Sequence, residues 1–379
     1  MKFALFLILF LIEDGFVSGM SESSDASVKF SLDFFRAAYN LNPARNCVLS
    51  PIAIQRLLSM LYHAAKLTEP TPLYHLSRAH YENFGKDEFF MDDLNTNALE
   101  MISKVYHSQV ELNPNLLAVL QAEYSVDVQA TDFSRPELVA DTVNRWASRF
   151  TNGMVGDVLT ENGFTESVNL MIINTLTLNA SWENQFSPHS VYKSDFHFSN
   201  GARKIDMMQR YKNFRYCELK DLRVVELAYQ ADSDLTMLII KSDTLPLDTI
   251  IDRFDLQTYR DIDEQLYHDR FKLVIPKFSI SVVIGAKRIL NAMGLSYVFG
   301  RNAFEVFAGF SSRLANIYQA LRIDIDERGT RAAAGTYSDK SMRVGSNFKF
   351  VIDGPFMFVI RKNTTKDIIF IGHYSNNPE

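Results

Sequence analysis

Two kinds of hydrophobic spacing divide the chain. Residues 25–40, 51–66 and 136–150 repeat apolar positions every three or four residues, which predicts amphipathic helices, and Ser50-Pro51 is a typical helix start. From Leu170 onward, short apolar runs rich in β-branched and aromatic residues predict strands. These runs are 170–178, 223–229, 235–240, 271–276, 321–326, 356–360 and 367–374. Helices that come first and strands that dominate later predict an α+β fold with large antiparallel sheets.

The first residues read as a targeting segment. Met1-Lys2 gives a positive start, Phe3–Ile12 is an unbroken apolar run, and small residues lead up to Gly19. This run is too short to cross a bilayer, which needs roughly 20 apolar residues. We therefore expect a cleaved secretory signal at 1–19 and a secreted, extracellular protein, and a buried N-terminal helix is the alternative. No composition shift divides the remainder, so 20–379 is interpreted as a single domain.

In a secreted protein, glycosylation sequons can be modified and cysteines can be oxidised. Asn179-Ala180-Ser181 and Asn363-Thr364-Thr365 are acceptors for N-glycosylation, so both asparagines are candidate glycan sites of a glycoprotein. Cys47 and Cys217 are too few for a disulfide scaffold or a cysteine-rich zinc site. They are either buried thiols or a single pair, and the sequence leaves both open.

Charge and motifs narrow the function classes. The chain has 39 Lys and Arg against 45 Asp and Glu, a net charge of −6, which argues against a nucleic-acid partner. No later stretch is apolar enough for a membrane helix, and the sequence lacks the nucleophile elbow, the phosphate-binding loop and the zinc-protease motif. We expect no catalytic residues, no metal and no cofactor. A secreted hydrolase with an unrecognised active site is an alternative function.

The most informative segment is DERGTRAAAGTYSDKSMR (326–343), which joins a strand-like run at 321–325 to another at 348–352. Alternate residues of a strand share one face, so Thr330, Ala332, Ala334, Thr336 and Ser338 would all point the same way. That face carries only small side chains. The segment could therefore enter a sheet between two strands, although a flexible surface loop is the simpler alternative.

The sequence here resembles the serpin family over nearly the whole mature chain. The hinge motif of that family, E-x-G-T-x-A-A-A, is similar to Glu327, Gly329, Thr330, Ala332, Ala333 and Ala334. Further motifs follow in the family's order; they are Asn46…Ser50-Pro51, Asn144-Arg145-Trp146 with Thr151-Asn152-Gly153, Asn174 with Trp182 and Phe186, Pro276-Lys277-Phe278, Pro355-Phe356 and Phe370-Ile371-Gly372 with Asn377-Pro378. Single motifs would be weak, but their order and spacing together are specific. The pattern is insect-like.

The resemblance implies three β-sheets, a set of surrounding helices and an exposed reactive-centre loop at about 329–347. It implies a suicide inhibitor: a serine protease cleaves the loop, and the freed hinge enters the main sheet as a new strand. The cleaved residue of inhibitory relatives lies fourteen positions after the hinge glycine, which places the reactive bond at Arg343–Val344. Arginine there suits a trypsin-like serine protease. We therefore expect a trypsin-like serine protease as the partner, and we expect the inhibitor to be a monomer.

The resemblance also assigns a sheet-opening region and exposes two departures. Ser50, Asn174 and Gln319 would meet where the sheet must part, and Gln319 stands where the family usually has histidine. Lys340 falls on the inward face if the alternation from Thr330 continues, and burying an unpaired ammonium group is costly. These departures keep open a second function, a non-inhibitory secreted serpin that acts as a carrier, storage or signalling protein.

Overall fold

Each helix and strand that the hydrophobic spacing predicts is present in the structure. The computed structural model describes residues 22–66, 98–108, 114–122, 124, 126–150, 153, 158–160, 170–300, 314–330 and 348–377. Its helices are α1 (Glu22–Leu41), α2 (Pro51–Lys66), α3 (Pro114–Ala122), α4 (Pro136–Phe150), α5 (Leu247–Arg253), α6 (Leu256–Gln265) and α7 (Ala286–Ala292). The helices predicted at 25–40, 51–66 and 136–150 are confirmed as α1, α2 and α4.

Strands dominate the second half of the chain, as predicted. They are β1 (Cys47–Leu49), β2 (Leu99–His107), β3 (Asp127–Ala130), β4 (Leu170–Leu178), β5 (Ala180–Ser181), β6 (Tyr192–Phe198), β7 (Gly201–Leu219), β8 (Leu222–Ala228), β9 (Leu235–Lys241), β10 (Tyr267–Pro276), β11 (Phe278–Gly285), β12 (Leu314–Ile325), β13 (Gly329–Thr330), β14 (Lys349–Val351), β15 (Phe356–Lys362) and β16 (Ile368–Tyr374). The α+β class is therefore confirmed.

The strands that the structure describes are connected by hydrogen bonds in two networks, each called a sheet below, and the larger network contains two groups of strands. One has the order β3-β2-β4-β12-β13-β5, with β11 also on β12, and it is called the seven-stranded sheet below. The other, the nine-stranded sheet, has the order β1-β16-β15-β9-β8-β7-β10-β14, with β6 on β7. The 19-residue strand β7 joins these two groups. It pairs with β6 over 201–207, with β10 over 207–216 and with β8 over 215–219.

Helix α2 brings the start of the chain against both sheets. Its first residue is a proline, whose missing N–H costs nothing in a first helical turn. The apolar side of α2, with Ile54, Leu57, Met60 and Leu61, is at most 1% exposed. Burying each such side chain contributes about 1.5–3 kcal/mol to folding. Strand β1 pairs antiparallel with β16 just before α2, so Ser50 is fixed at the junction.

Within the described ranges, no helix combines the length and apolar character needed to span a membrane.

Candidate functional site

The hinge begins as a short strand at one end of the seven-stranded sheet. In β13, Thr330 pairs antiparallel with Ile325 of β12 on one side and with Ala180 of β5 on the other. A tight turn leads into it, because the Asp326 carboxylate accepts hydrogen bonds from the backbone N–H groups of Arg328 (2.8 Å) and Gly329 (3.2 Å). The first hinge residues therefore already lie between β12 and β5.

Glycine is required at position 329 because the backbone of β5 approaches it closely. Its φ is +159°, and a Cβ there would overlap the carbonyl oxygen of Ala180 and the Cα of Ser181. A larger residue would push β13 off β5. The glycine of the hinge motif thus has a steric reason in this chain.

Thr330 is fixed from the interior by a tyrosine. Its side chain is 1% exposed, and its hydroxyl lies 2.5 Å from the Tyr229 hydroxyl. Burial raises the pKa of Tyr229, so the phenol stays protonated and can donate. The Trp182 ring stacks on Tyr229 at 4.4 Å between centroids, and its indole N–H donates to the Asp326 carbonyl oxygen at 2.9 Å. Thr330 therefore belongs to the inward face of the hinge.

An ion pair holds the residue before the hinge strand. Lys277 Nζ lies 2.5 Å from Glu327 Oε2, and the two side chains are 31% and 13% exposed. Burial opposes ionisation of Glu327, but the hydrogen bond and the attraction of Lys277 outweigh it and hold the pKa of Glu327 below its usual value. The backbone supports the pair, since the Phe186 N–H donates to the Glu327 carbonyl oxygen at 2.8 Å.

A second cluster lies where β4 and β12 meet in the same sheet. The two strands pair in parallel, with Gln319 opposite Asn174. Gln319 donates from Nε2 to the Ser50 carbonyl oxygen and accepts from the Ser50 N–H, both at 2.9 Å. Asn174 donates to the Ser103 hydroxyl at 3.0 Å and lies 3.5 Å from Gln319 Nε2. Ser50, Asn174 and Gln319, which the sequence grouped together, are thus in contact and fully buried.

The chemistry of this cluster differs from that of a histidine site. An amide has no proton to lose or gain between acid and neutral pH, so the Gln319 contact itself carries no pH dependence. The Ser50 hydroxyl is buried and has no hydrogen-bond partner among the residues that the structure describes. The cluster joins β4, β12 and the start of α2 through amide and backbone groups alone.

Other predicted residues lie outside the described ranges or on the surface. Ala332, Ala333, Ala334, Lys340, Arg343 and Val344 are outside the described residues, as is the predicted signal at 1–19. Asn179 and Asn363 are both exposed. Cys47 and Cys217 are free thiols, and burial raises both pKa values, so neither is a thiolate near neutral pH.

Sequence reasoning missed several partners of the predicted residues. Tyr229, Ser103 and the ion-pair role of Lys277 stand out. Tyr229 only ended a predicted strand, and nothing local connects it with Thr330, which lies 101 residues away. Lys277 was a motif residue without an assigned partner. No group of His, Cys, Asp and Glu suited to a metal ion occurs among the described residues.

Comparison with known proteins agrees with this arrangement. The chain is 26% identical to leukocyte elastase inhibitor of Xenopus laevis over 94% of its own length and 100% of that protein. Its fold matches Serpin48 of the insect Tenebrio molitor with a TM-score of 0.81 and 22% identity, over 94% of this chain and 98% of the other. Human thyroxine-binding globulin with bound hormone matches with a TM-score of 0.79 and 20% identity, over 94% and 99%.

These matches come from an amphibian, an insect and a human, and so the insect-like origin stays a prediction. The model of the family described as "Serpin (serine protease inhibitor)" matches residues 25–377. The chain belongs to the serpin family.

Proposed function

We propose that this serpin is a secreted, monomeric suicide inhibitor of a trypsin-like serine endopeptidase, with Arg343–Val344 as the bond offered to the protease. One observation carries the proposal: Gly329 and Thr330 already lie between β12 and β5, antiparallel to both. Residues that follow Thr330 can extend this strand along the junction of β4 and β12. The hinge is thus positioned at the end of the path that insertion requires.

Strand geometry favours insertion once the loop is cut. At present β4 and β12 pair in parallel over Leu170–Leu176. A strand entering from Thr330 would replace this parallel contact with two antiparallel ones, and antiparallel pairing is slightly more stable per residue. Each added backbone hydrogen bond contributes roughly 0.5–1.5 kcal/mol net, so a strand of several residues would release several to tens of kcal/mol before strain and entropy are subtracted.

The inward face of the hinge suits this path. Thr330 is buried against Tyr229, so in an inserted strand the alternation would place Ala332 and Ala334 on the same inward side. Small side chains enter between packed strands with little displacement of neighbours. The Ser50, Asn174 and Gln319 cluster lies farther along the junction and must rearrange as β4 and β12 separate. We assign it the role of the sheet-opening region.

The chemistry at the reactive bond is that of a protease substrate. The protease serine hydroxyl adds to the carbonyl carbon of Arg343, and the bond from that carbon to the Val344 nitrogen breaks. The hydroxyl proton reaches the departing amine through the protease histidine, and Arg343 stays esterified to the enzyme. Insertion of the freed hinge would then carry the acylated protease away from its starting position before water completes hydrolysis.

Secretion is part of the proposal. It rests on the apolar run Phe3–Ile12, the cleavage position after Gly19 and the exposure of Asn179 and Asn363. When the protein is expressed in a secreting eukaryotic cell, we expect it to appear in the culture medium with Met20 as its first residue. The variants Asn179→Gln and Asn363→Gln should each lose one glycan by mass. Retention inside the cell with Met1 intact would contradict this part.

A carrier, storage or signalling role is the second candidate, and two observations favour it. Lys340 would fall on the inward face, where an unpaired ammonium group opposes full insertion. A cavity of about 400 Å³ also opens beside the β7–β8 turn, within the size range of small-molecule sites. Its apolar wall includes Leu222 and Ile250, and Lys220, Asp252 and Asp255 line it as well.

Incubation with trypsin-like proteases separates the candidates. The inhibitor hypothesis predicts a covalent complex that survives detergent and a C-terminal peptide beginning at Val344, which denaturation separates for identification by mass spectrometry. Arg343→Ala should abolish the complex, and Lys340→Ala should preserve or increase its yield. Cleavage without a complex, and without a gain in thermal stability, would refute inhibition and favour the second candidate. Labelling of the chain by an active-site-directed hydrolase probe would favour the hydrolase.

A further inference from the structure

One edge of the nine-stranded sheet carries three cations that have no anionic partner among the described residues. Arg270 and Lys272 lie on β10, and Lys349 lies on the neighbouring strand β14. We call these three residues the basic face. None of them forms an ion pair within the part of the chain that the structure describes. By contrast, nearby Arg215 is paired with Glu226 at 2.7 Å, and Arg223 is paired with Asp243 at 2.6 Å.

Strand register places the basic face on the solvent side. Lys272 is directly opposite Lys349 across the β10–β14 pair and opposite Tyr211 across the β10–β7 pair. The alternate residues Phe271 and Phe350 are at most 1% exposed and form the buried side. The Arg270 guanidinium lies over the Tyr211 ring, 5.1 Å from its centroid. The cations therefore project from one surface that is held rigid by the sheet.

The like charges oppose folding. Lys272 and Lys349 are register partners on parallel strands, and two ammonium groups held near each other repel, which is destabilising. A sheet edge that keeps such a pair, with no ion pair to either lysine among the described residues, is more stable when an anionic group binds there. Positions that break a local rule of stability are often functional.

The position of the basic face indicates which anionic group binds there. Lys349 follows Arg343 by six residues, which span at most about 20 Å of extended chain. Because β14 is parallel to β10, Phe348 lies on the Tyr267 side of Lys349, which is the side on which Arg270 lies. A protease that holds the Arg343–Val344 bond must therefore come close to the basic face.

We propose that the basic face is a secondary docking site for the target protease and that it selects a protease with carboxylates beside its active-site cleft. This inference rests on the proposed function and names a property of its partner. Opposite charges on two approaching surfaces raise the rate of encounter, and this effect falls as salt screens the charges. The basic face acts on the rate of association, while Arg343 determines whether the bond is cut.

The test compares association rate constants of two charge-matched double variants of the full chain. Lys272→Gln with Lys349→Gln removes two cations of the basic face. Lys204→Gln with Arg288→Gln removes two exposed cations elsewhere, on β7 near its first residue and on α7. Covalent complex formation is timed with a panel of trypsin-like proteases at about 0.05 M and about 0.5 M sodium chloride, across which screening changes strongly.

With the cognate protease, the first variant should form complex about 5–10-fold more slowly at low salt and less than about 2-fold more slowly at high salt. Its final yield of complex and its thermal stability should not fall, and the second variant should match the parent. Equal rates for all three proteins at low salt, with full complex yield, would overturn the docking site alone. If the first variant is no longer retained on a sulfated polysaccharide but reacts with every protease as fast as the parent does, the basic face binds a polysaccharide. That result would also overturn the docking site. Absence of any complex from the parent protein would overturn the proposed function and this inference together.

Discussion

Replacing Gln319 by leucine should weaken the uncut protein more than the cut one. Leucine preserves most of the volume but removes both hydrogen bonds to Ser50, each 2.9 Å long. The Ser50 N–H then has no acceptor in a fully buried site, whereas its carbonyl oxygen keeps the N–H of Ile54 at 3.4 Å. Leaving one buried donor unpaired costs about 1–3 kcal/mol, and the lost bonds add about 1 kcal/mol. We expect a loss of about 3 kcal/mol in the free energy of unfolding.

The comparison of uncut and loop-cleaved protein makes this a test of the sheet-opening role. For a chain of this size, 3 kcal/mol corresponds to a fall in Tm of about 4 °C. Insertion must separate β4 from β12 and disturb the Gln319 cluster, so the cleaved form should lose less. Circular dichroism melts of both forms measure the difference. The Tm gap between cut and uncut protein should therefore widen.

Gln55→Leu is the matched control. Gln55 is also a fully buried amide, but it bonds to Ser27 and Ser31 between α2 and α1, away from the β4–β12 pair. Its loss should lower both Tm values equally and leave the gap unchanged. If Gln319→Leu shifts both forms equally, as Gln55→Leu does, the cluster is only part of the core and the sheet-opening role is refuted.

Three further predictions test other parts of the structure. Gly329→Ala should displace β13 from Ala180 and lower the free energy of unfolding by about 3 kcal/mol. On a denaturing gel, its reaction with the protease should give less covalent complex and more cleaved free protein, and an unchanged yield of complex would contradict this prediction. Burial lowers the pKa of His373 to about 4, below its unfolded value, so the native state binds fewer protons, and about 3 kcal/mol of stability should be lost as pH falls from 6.5 to 4. His373→Phe should flatten that loss in urea melts, and an unchanged slope would contradict the assignment. Arg361 is fully buried and bonds to Glu226 at 2.9 Å, so Arg361→Met should cost about 3–5 kcal/mol, and Arg361→Met with Glu226→Leu should cost less than the sum of the single changes.

The sequence was most informative where burial is uniform along an element. Strands β15 and β16 were predicted at 356–360 and 367–374, because almost all of their residues are apolar and buried. Strand β7 was missed because its first four residues are exposed and much of it is charged, so it has neither alternation nor an apolar run. This strand also joins two groups of strands in the nine-stranded sheet, a connection that no local pattern predicts.

The sequence predicted which residues form the candidate site but not the hydrogen bonds between them. The resemblance grouped Ser50, Asn174 and Gln319, yet the choice of the Ser50 backbone as partner depends on how β1 delivers α2 to β12. Tyr229 and Thr330 come together only because β5 and β13 pair, and no local pattern contains that information. Contacts between distant segments require the fold itself.

The described segments on the two sides of the proposed reactive bond belong to different sheets, and this determines what a cut molecule would look like. Residues up to Thr330 belong to the seven-stranded sheet, whereas β14, β15 and β16 complete the nine-stranded one. Since β15 and β16 are core strands, the C-terminal peptide that cleavage would produce should stay bound without a covalent link. Gel filtration under native conditions should not detect the nick, and only denaturation should separate the two fragments.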